Sequence, residues 1–367
     1  MALAIYRKYR PITFGDLLGQ ETIARVLKEA ARQNKIAHAY LFAGPRGTGK
    51  TTTARLIAKI ANCKTRAKDA NFLKKGEPCN NCEACRDIDD GRSLDVIEID
   101  AASNRGIDEI RNLKEIVRLS PTSSFFRVFI IDEAHQLTKD AFNALLKTLE
   151  EPPSYVIIIL ATTEPEKVPA TISSRAQQFY FKYVTLSEIV KKLTRIAEEE
   201  KINISKEAMD LVAASAEGSF RDAESLLDQL VSAGDKNITL KDVESLIGKI
   251  GFDKLSEFAG LLFQNKLKEI LETLSEIEDS GYNITQFTKD LIHYLRRAAV
   301  LKFNPEMKKL FENELMDEHL NKLVEHSQLF GEKHFLTLKA LIQAFSQMRY
   351  SQFPIIPLEI ALIESLR

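Results

Sequence analysis

The chain has 367 residues, 44% of them hydrophobic, and its 51 Lys plus Arg are matched by 52 Asp plus Glu. That length allows two or three domains with proper cores, while the even charge balance excludes a general attraction to phosphates and leaves only local patches for nucleic acid. Apolar runs such as VIIIL at 156–160 fall far short of the roughly 20 residues of a membrane span, and MALAIYRKYRPITF lacks the apolar region and cleavage site of a secretory signal, so a cytoplasmic protein is expected.

From about residue 36 to 182, short β-rich runs alternate with amphipathic stretches, the pattern of a parallel sheet with crossover helices. Strands are expected at HAYLFA, DVIEID, RVFIID, YVIIILAT and QQFYF, and helices over 50–62, 106–119, 138–150 and near 169–175. The fold class is therefore α/β. Beyond about residue 183 the strand signal disappears, and SEIVKKLTRIAEEEKI, SKEAMDLVAASAEG and FRDAESLLDQLVSAG carry helical apolar spacing. Longer helical pieces follow, among them NITQFTKDLIHYLRRAAVLKF and KHFLTLKALIQAFSQMRY, whose apolar stripes read first as core and second as partner surface. The expected division is a nucleotide-binding core over 1–180, a small helical domain over 181–243 and a helical end domain over 244–367.

The first strand runs into GPRGTGKT at 44–51, a full phosphate-loop pattern that opens a helix. Its glycines permit backbone shapes that aim N–H groups at phosphates, and the helix N-terminus adds positive potential. Lys50 is expected on the β- and γ-phosphates of ATP and Thr51 on Mg²⁺, with Arg46, Gly47, Thr48, Gly49 and Thr52 completing the cradle.

All four cysteines, Cys63, Cys79, Cys82 and Cys85, lie in a Lys-rich excursion directly after the phosphate-loop helix. Such spacing suits tetrahedral Zn²⁺ with all four positions filled by thiolates, a structural site. Disulfides, an iron–sulfur cluster and a redox pair are the alternatives.

VFIIDEAHQL at 128–137 is an apolar strand delivering an acidic pair. Beside a phosphate loop, Asp132 suits the Mg²⁺ shell and Glu133, one residue on, suits a general base for water; the plain alternative is two acids ending a strand at a solvated turn. The letters D-E-A-H also name a helicase class. His135 reads as a polar residue at a helix start, and none of the six histidines has a metal-like cluster around it. YVIIILATTEP ends in a Thr pair whose Thr162 suits a γ-phosphate sensor, although Thr also favours strands for its shape alone. Arg175, in SSR just past a short helix, suits the charge of a transferring phosphoryl group or is simply a surface arginine.

These motifs, together with YRKYRPITFGDLLGQE, DVIEIDAASN, IIDEAHQLTKDAFNALLKTLEEPP and EGSFRDAESLLDQ, resemble the gamma/tau ATPase subunit family of the bacterial DNA polymerase III clamp loader, within the AAA+ superfamily. The resemblance spans the whole chain in three-domain order. It implies a zinc-bearing AAA+ core, a helical lid and an oligomerisation collar. It implies that Arg175 is an arginine finger acting on a neighbouring subunit's ATP, and that Phe220 and Arg221 belong to a lid contact in which Arg221 touches the γ-phosphate. The family motif Ser-Arg-Cys has Ala176 in its third place here. Tyr9, Arg10, Pro11, Leu17 and Leu18 resemble the adenine-side segment, and Asn104, Arg105 and Lys147 fall where such loaders approach template DNA.

The leading expectation is thus an ATPase subunit that assembles with delta, delta-prime and further copies of itself into a pentamer and loads a sliding clamp on primer-template DNA. The rivals are another AAA+ DNA-remodelling ATPase, a translocating helicase, which needs two RecA-like cores where the strand pattern here ends near residue 182, and a scaffold that binds ATP passively. The family belongs to a polymerase holoenzyme, but no polymerase site is expected in this chain.

Overall fold

The computed structural model describes residues 4–103, 115–232, 237–248, 250–312, 315–348 and 350–367. Asn104 and Arg105 lie outside the described residues. The described residues divide into two compact units, one made of 1–184 with 218–222, the other of 185–217 with 223–367.

In the first unit all five expected strands form: β1 (Ala39–Ala43), β2 (Val96–Asp100), β3 (Arg127–Asp132), β4 (Val156–Thr162) and β5 (Gln177–Tyr180). They pair in parallel in the order β2-β3-β4-β1-β5. β1 and β4 are buried along their whole length, which is why they read as unbroken apolar runs: crossover helices cover both faces of a parallel sheet. Alternate residues serve opposite faces. Val128, Ile130, Ile157 and Ile159 pack with the phosphate-loop helix, Lys50–Asn62, and with the helix Glu21–Arg32. Phe129, Ile131, Ile158 and Leu160 pack with the helix Lys139–Glu150. The sheet order sets β3, β4 and β1 side by side, and their carboxyl ends are where ligands bind in open α/β sheets.

At the other end of the sheet a buried ion pair ties down the loop entering β3. Asp95, fully buried, accepts backbone N–H bonds from Thr122, Ser123 and Ser124 at 2.8–2.9 Å, and Arg127 donates to it at 3.1 Å. Burial works to raise the Asp95 pKa, but the Thr122 and Ser123 donors and Arg127 outweigh it and hold it down at about 2.

The second unit is built from helices, including Leu186–Glu200, Lys206–Ser215, Phe252–Phe263, Ile284–Phe303, Glu332–Met348 and Ile355–Leu366. Its core gathers Phe258, Leu274, Phe287, Leu291, Leu341 and Leu362. The strand signal does not end entirely at 183: β6 (Asn203–Ile204) and β7 (Asn237–Ile238) form a two-residue parallel pair. Runs that short carry no periodicity to read. Of the helix expected over 106–119, residues 115–119 are described and 115–117 are helical. Among the described residues no helix is long and apolar enough to cross a membrane.

Candidate nucleotide site and cysteine cluster

The site begins where β1 ends. Gly44 donates its N–H to the Thr162 carbonyl at 3.1 Å and has φ +144°, and a Cβ there would run into the Phe181 backbone carbonyl, so only glycine fits. Gly49, also at positive φ, caps the helix that Lys50 opens. Thr48 is buried and donates to the Pro45 carbonyl at 2.8 Å, while Arg46 is exposed and Thr52 half-buried. Lys50 is buried and folds back onto its own loop, donating to the Gly44 carbonyl at 2.8 Å and the Pro45 carbonyl at 2.7 Å. Burial lowers its pKa, against the pull of Glu133 and Asp132.

The loop is bonded directly to the end of β3. Thr51 Oγ1 donates to Asp132 Oδ2 at 2.7 Å, and Asp132 Oδ1 accepts the Glu133 N–H at 2.9 Å. The Thr51 hydroxyl and the Asp132 carboxylate are hard oxygen ligands of the kind Mg²⁺ takes. Glu133 sits in the left-handed region at φ 47°, ψ 44°, where the chain turns sharply off the strand. Its Oε2 accepts from Thr163 Oγ1 at 3.0 Å. Thr162, fully buried at the end of β4, pairs with Ala43 of β1. Lys50, Thr51, Asp132, Glu133 and Thr162 therefore converge at the carboxyl end of the sheet.

Leu17 is buried and packs against Gly49, whereas Leu18 is 38% exposed. Tyr9, Arg10 and Pro11 are half-buried after the helical turn Ile5–Lys8. Burial and then the nearby Arg55 lower the Arg10 pKa, and Glu98 opposes them. Segment 218–222 belongs to this unit: Ser219 lies so close to Gly47 that a Cβ there would collide with its hydroxyl, Arg221 stands 5.5 Å over the Tyr6 ring, and half-buried Phe220 opens the helix Phe220–Ser232. Arg175 stands apart from this constellation in the single chain, bonded to Glu150 at 2.6 Å. Lys147 is exposed on the helix Lys139–Glu150.

Two participants escape a reading of the sequence alone. His135 does start a helical turn, but its side chain is only 4% exposed and its Nδ1 lies 3.0 Å from Thr162 Oγ1. Thr163 holds Glu133. The available signal was the polar TTE run ending an apolar strand, which marks a site without saying which hydroxyl faces which acid.

The cysteines cluster as their spacing suggests. Cys63 ends the phosphate-loop helix, Cys79 and Cys82 lie in the loop that follows the two short helices Lys64–Lys68 and Ala70–Leu73, and Cys85 is in the helix Glu83–Asp89. All four sulfurs lie within 4.8 Å of one another, Cys79 and Cys85 at 4.0 Å, and no disulfide joins them. The Cys82 N–H donates to the Cys79 sulfur at 3.2 Å, a bond that favours thiolate. Four convergent thiols fit a tetrahedral thiophilic metal such as Zn²⁺. The excursion is anchored to the core by buried Lys59, which donates to both Asp89 oxygens at 2.8 and 2.6 Å, and by Arg66, which donates to the Ala31 carbonyl at 3.0 Å.

The chain matches the family descriptions "DNA polymerase III, delta subunit" over 19–185, "DNA polymerase III clamp loader subunit, ATPase lid domain" over 188–236 and "DNA polymerase III subunits gamma and tau domain III" over 238–367. It is 35% identical over 321 residues to DNA polymerase III subunit gamma of Buchnera aphidicola, covering 88% of this chain and 83% of that one. The chain belongs to the DNA polymerase III gamma/tau subunit family. It is also 40% identical to DNA polymerase III subunit tau of Bacillus subtilis over 98% of its own length and 62% of that protein's. With the Escherichia coli tau subunit it shares 39% identity over 82% of this chain and 45% of that one. The chain thus spans only about half to three-fifths of the length of these tau relatives. Among solved structures, the Bacillus subtilis DNA clamp loader delta protein aligns with TM-score 0.41 and 15% identity, over 93% of this chain and 99% of that one. The Thermotoga maritima RuvB Holliday junction branch migration motor aligns with TM-score 0.47 and 18% identity, over 73% and 85%.

Proposed function

We propose that the chain is an ATP-hydrolysing subunit of a clamp loader, working with delta- and delta-prime-type subunits and further copies of itself in a pentamer that places a sliding clamp on primer-template DNA. The observation that supports ATP hydrolysis is the 2.7 Å bond from Thr51 of the phosphate loop to Asp132 of β3, with Glu133 one residue on, and membership of the gamma/tau family supports the loader role. In this reading Arg46, Gly47, Thr48, Gly49, Lys50 and Thr52 cradle the phosphates, and Tyr9, Arg10, Pro11, Leu17 and Leu18 line the adenine side. Lys50 leaves the Gly44 and Pro45 carbonyls to bind phosphate. Thr51 and Asp132 would hold Mg²⁺, which when bound offsets phosphate charge. Water attacks the γ-phosphorus, the bond to the β,γ-bridging oxygen breaks, ADP leaves, and Glu133 takes the water's proton. Thr162 and Arg221 sense the γ-phosphate, and Phe220 supports Arg221. Arg175 completes a neighbour's site.

The division into core 1–180, lid 181–243 and collar 244–367 is part of this proposal, as are Zn²⁺ on Cys63, Cys79, Cys82 and Cys85 and DNA contact through Lys147. ATP then acts as a switch between assembly states. A single five-stranded sheet among the described residues gives no support to a two-core helicase. The test reconstitutes the loader with clamp and primed DNA. Glu133→Gln should bind ATP yet lose hydrolysis and clamp release; wild-type chains that hydrolyse nothing even with clamp and DNA would instead make this a scaffold.

A further inference from the structure

His135 has no part in the reaction as described, yet its imidazole is buried at the centre of the site. Nδ1 lies 3.0 Å from Thr162 Oγ1 and 3.4 Å from Glu133 Oε2. Nε2 lies 2.8 Å from Gln136 Nε2 and 3.1 Å from Glu164 Oε1. Thr162 Oγ1 also accepts the Glu164 N–H at 3.0 Å, and Thr163 Oγ1 donates to Glu133 Oε2. A histidine that only filled space would need one partner for each nitrogen. Here Nδ1 is hydrogen-bonded to the proposed sensor, on β4, and lies within ion-pair distance of the proposed base, which follows β3.

Glu133 needs such a restraint. It is 30% exposed at the side chain, and Thr163 Oγ1 holds one of its oxygens, so packing alone does not fix its carboxylate. We infer that His135 is a positioning residue for ATP hydrolysis, whose Nδ1 bridges Thr162 and Glu133 and so keeps the general base in register with the γ-phosphate sensor. The inference rests on the assignment of Glu133 as base. The imidazole transfers no proton: the water's proton goes to Glu133, and His135 fixes where that carboxylate points. A misplaced base costs rate without costing nucleotide affinity.

The test uses the reconstituted loader with clamp and primed DNA, measuring ATP affinity and steady-state hydrolysis. His135→Ala should lower kcat by about 10- to 100-fold while KM and ATP affinity stay within about twofold. His135→Asn, whose amide reaches the Nδ1 position, should recover several-fold of that loss. His135→Gln, whose amide reaches only the Nε2 position, should not. This pair carries the test even where the alanine variant is unstable. Equal recovery by Asn and Gln, or an alanine variant with normal kcat, overturns the inference. Glu133→Gln is measured alongside: loss of hydrolysis there with normal kcat in His135→Ala rejects the positioning role alone, whereas normal hydrolysis in Glu133→Gln rejects the base and this inference with it.

Discussion

Arg175 Nη2 stands 2.6 Å from Glu150 Oε1 in its own chain, and Nη1 donates to the Thr171 carbonyl at 2.7 Å. The two side chains of this ion pair are 35% and 48% exposed, so the pair is worth at most about 1 kcal/mol. Arg175 is held in place without being needed for the fold. Arg175→Ala should therefore shift unfolding stability by less than about 1 kcal/mol, measured by denaturant titration. A loss several times larger would make Arg175 a structural residue.

Asp95 is the opposite case, a buried charge with every partner supplied by one loop and Arg127. Its folded pKa of about 2 lies below the ordinary carboxylate value, so it adds stability above that ordinary value and loses it as pH falls toward 2. Asp95→Asn should cost about 2 kcal/mol at neutral pH, and the gap from wild type should close between about pH 4 and 2. A gap that does not change with pH would contradict the pairing.

β1, β3 and β4 were legible because buried parallel strands read as unbroken apolar runs, and the helix 50–62 because a phosphate-loop pattern opens it. The converging residues Lys50, Thr51, Asp132, Glu133 and Thr162 were legible because each sits at a strand end or loop of recognisable type. What stayed hidden depends on pairings distant in the chain: the His135–Thr162 contact, the Thr163–Glu133 bond and the Asp95–Arg127 pair arise only once β2, β3 and β4 lie side by side. The β6–β7 pair was hidden for a different reason, being too short to have a period.

The cysteine cluster predicts a stoichiometry. Purified chain should carry about one Zn²⁺, measured by elemental analysis, and Cys82→Ser should lose it and lower the melting temperature. A metal-free wild-type chain of unchanged stability would leave the four thiols without this role.

Two glycines separate backbone strain from site damage. At Gly91, φ is +69° but a Cβ added there would meet no atom within 4 Å, so Gly91→Ala should cost only the left-handed penalty of about 1–2 kcal/mol and leave ATP affinity unchanged. At Gly44 a Cβ meets the Phe181 carbonyl, so Gly44→Ala must shift the phosphate loop and weaken ATP binding at least about tenfold. Equal ATP affinities in equilibrium titrations of the two variants would contradict the loop's assignment.

In the proposed reaction Glu133 activates water in a site that another chain's Arg175 completes. Loaders assembled only from Glu133→Gln chains, or only from Arg175→Ala chains, should hydrolyse little ATP. Assembled from both together, the Glu133→Gln chains lend their arginines to the intact Glu133 sites beside them, and hydrolysis should rise well above the sum of the two parents. Mixed loaders no more active than that sum would contradict a site shared between chains.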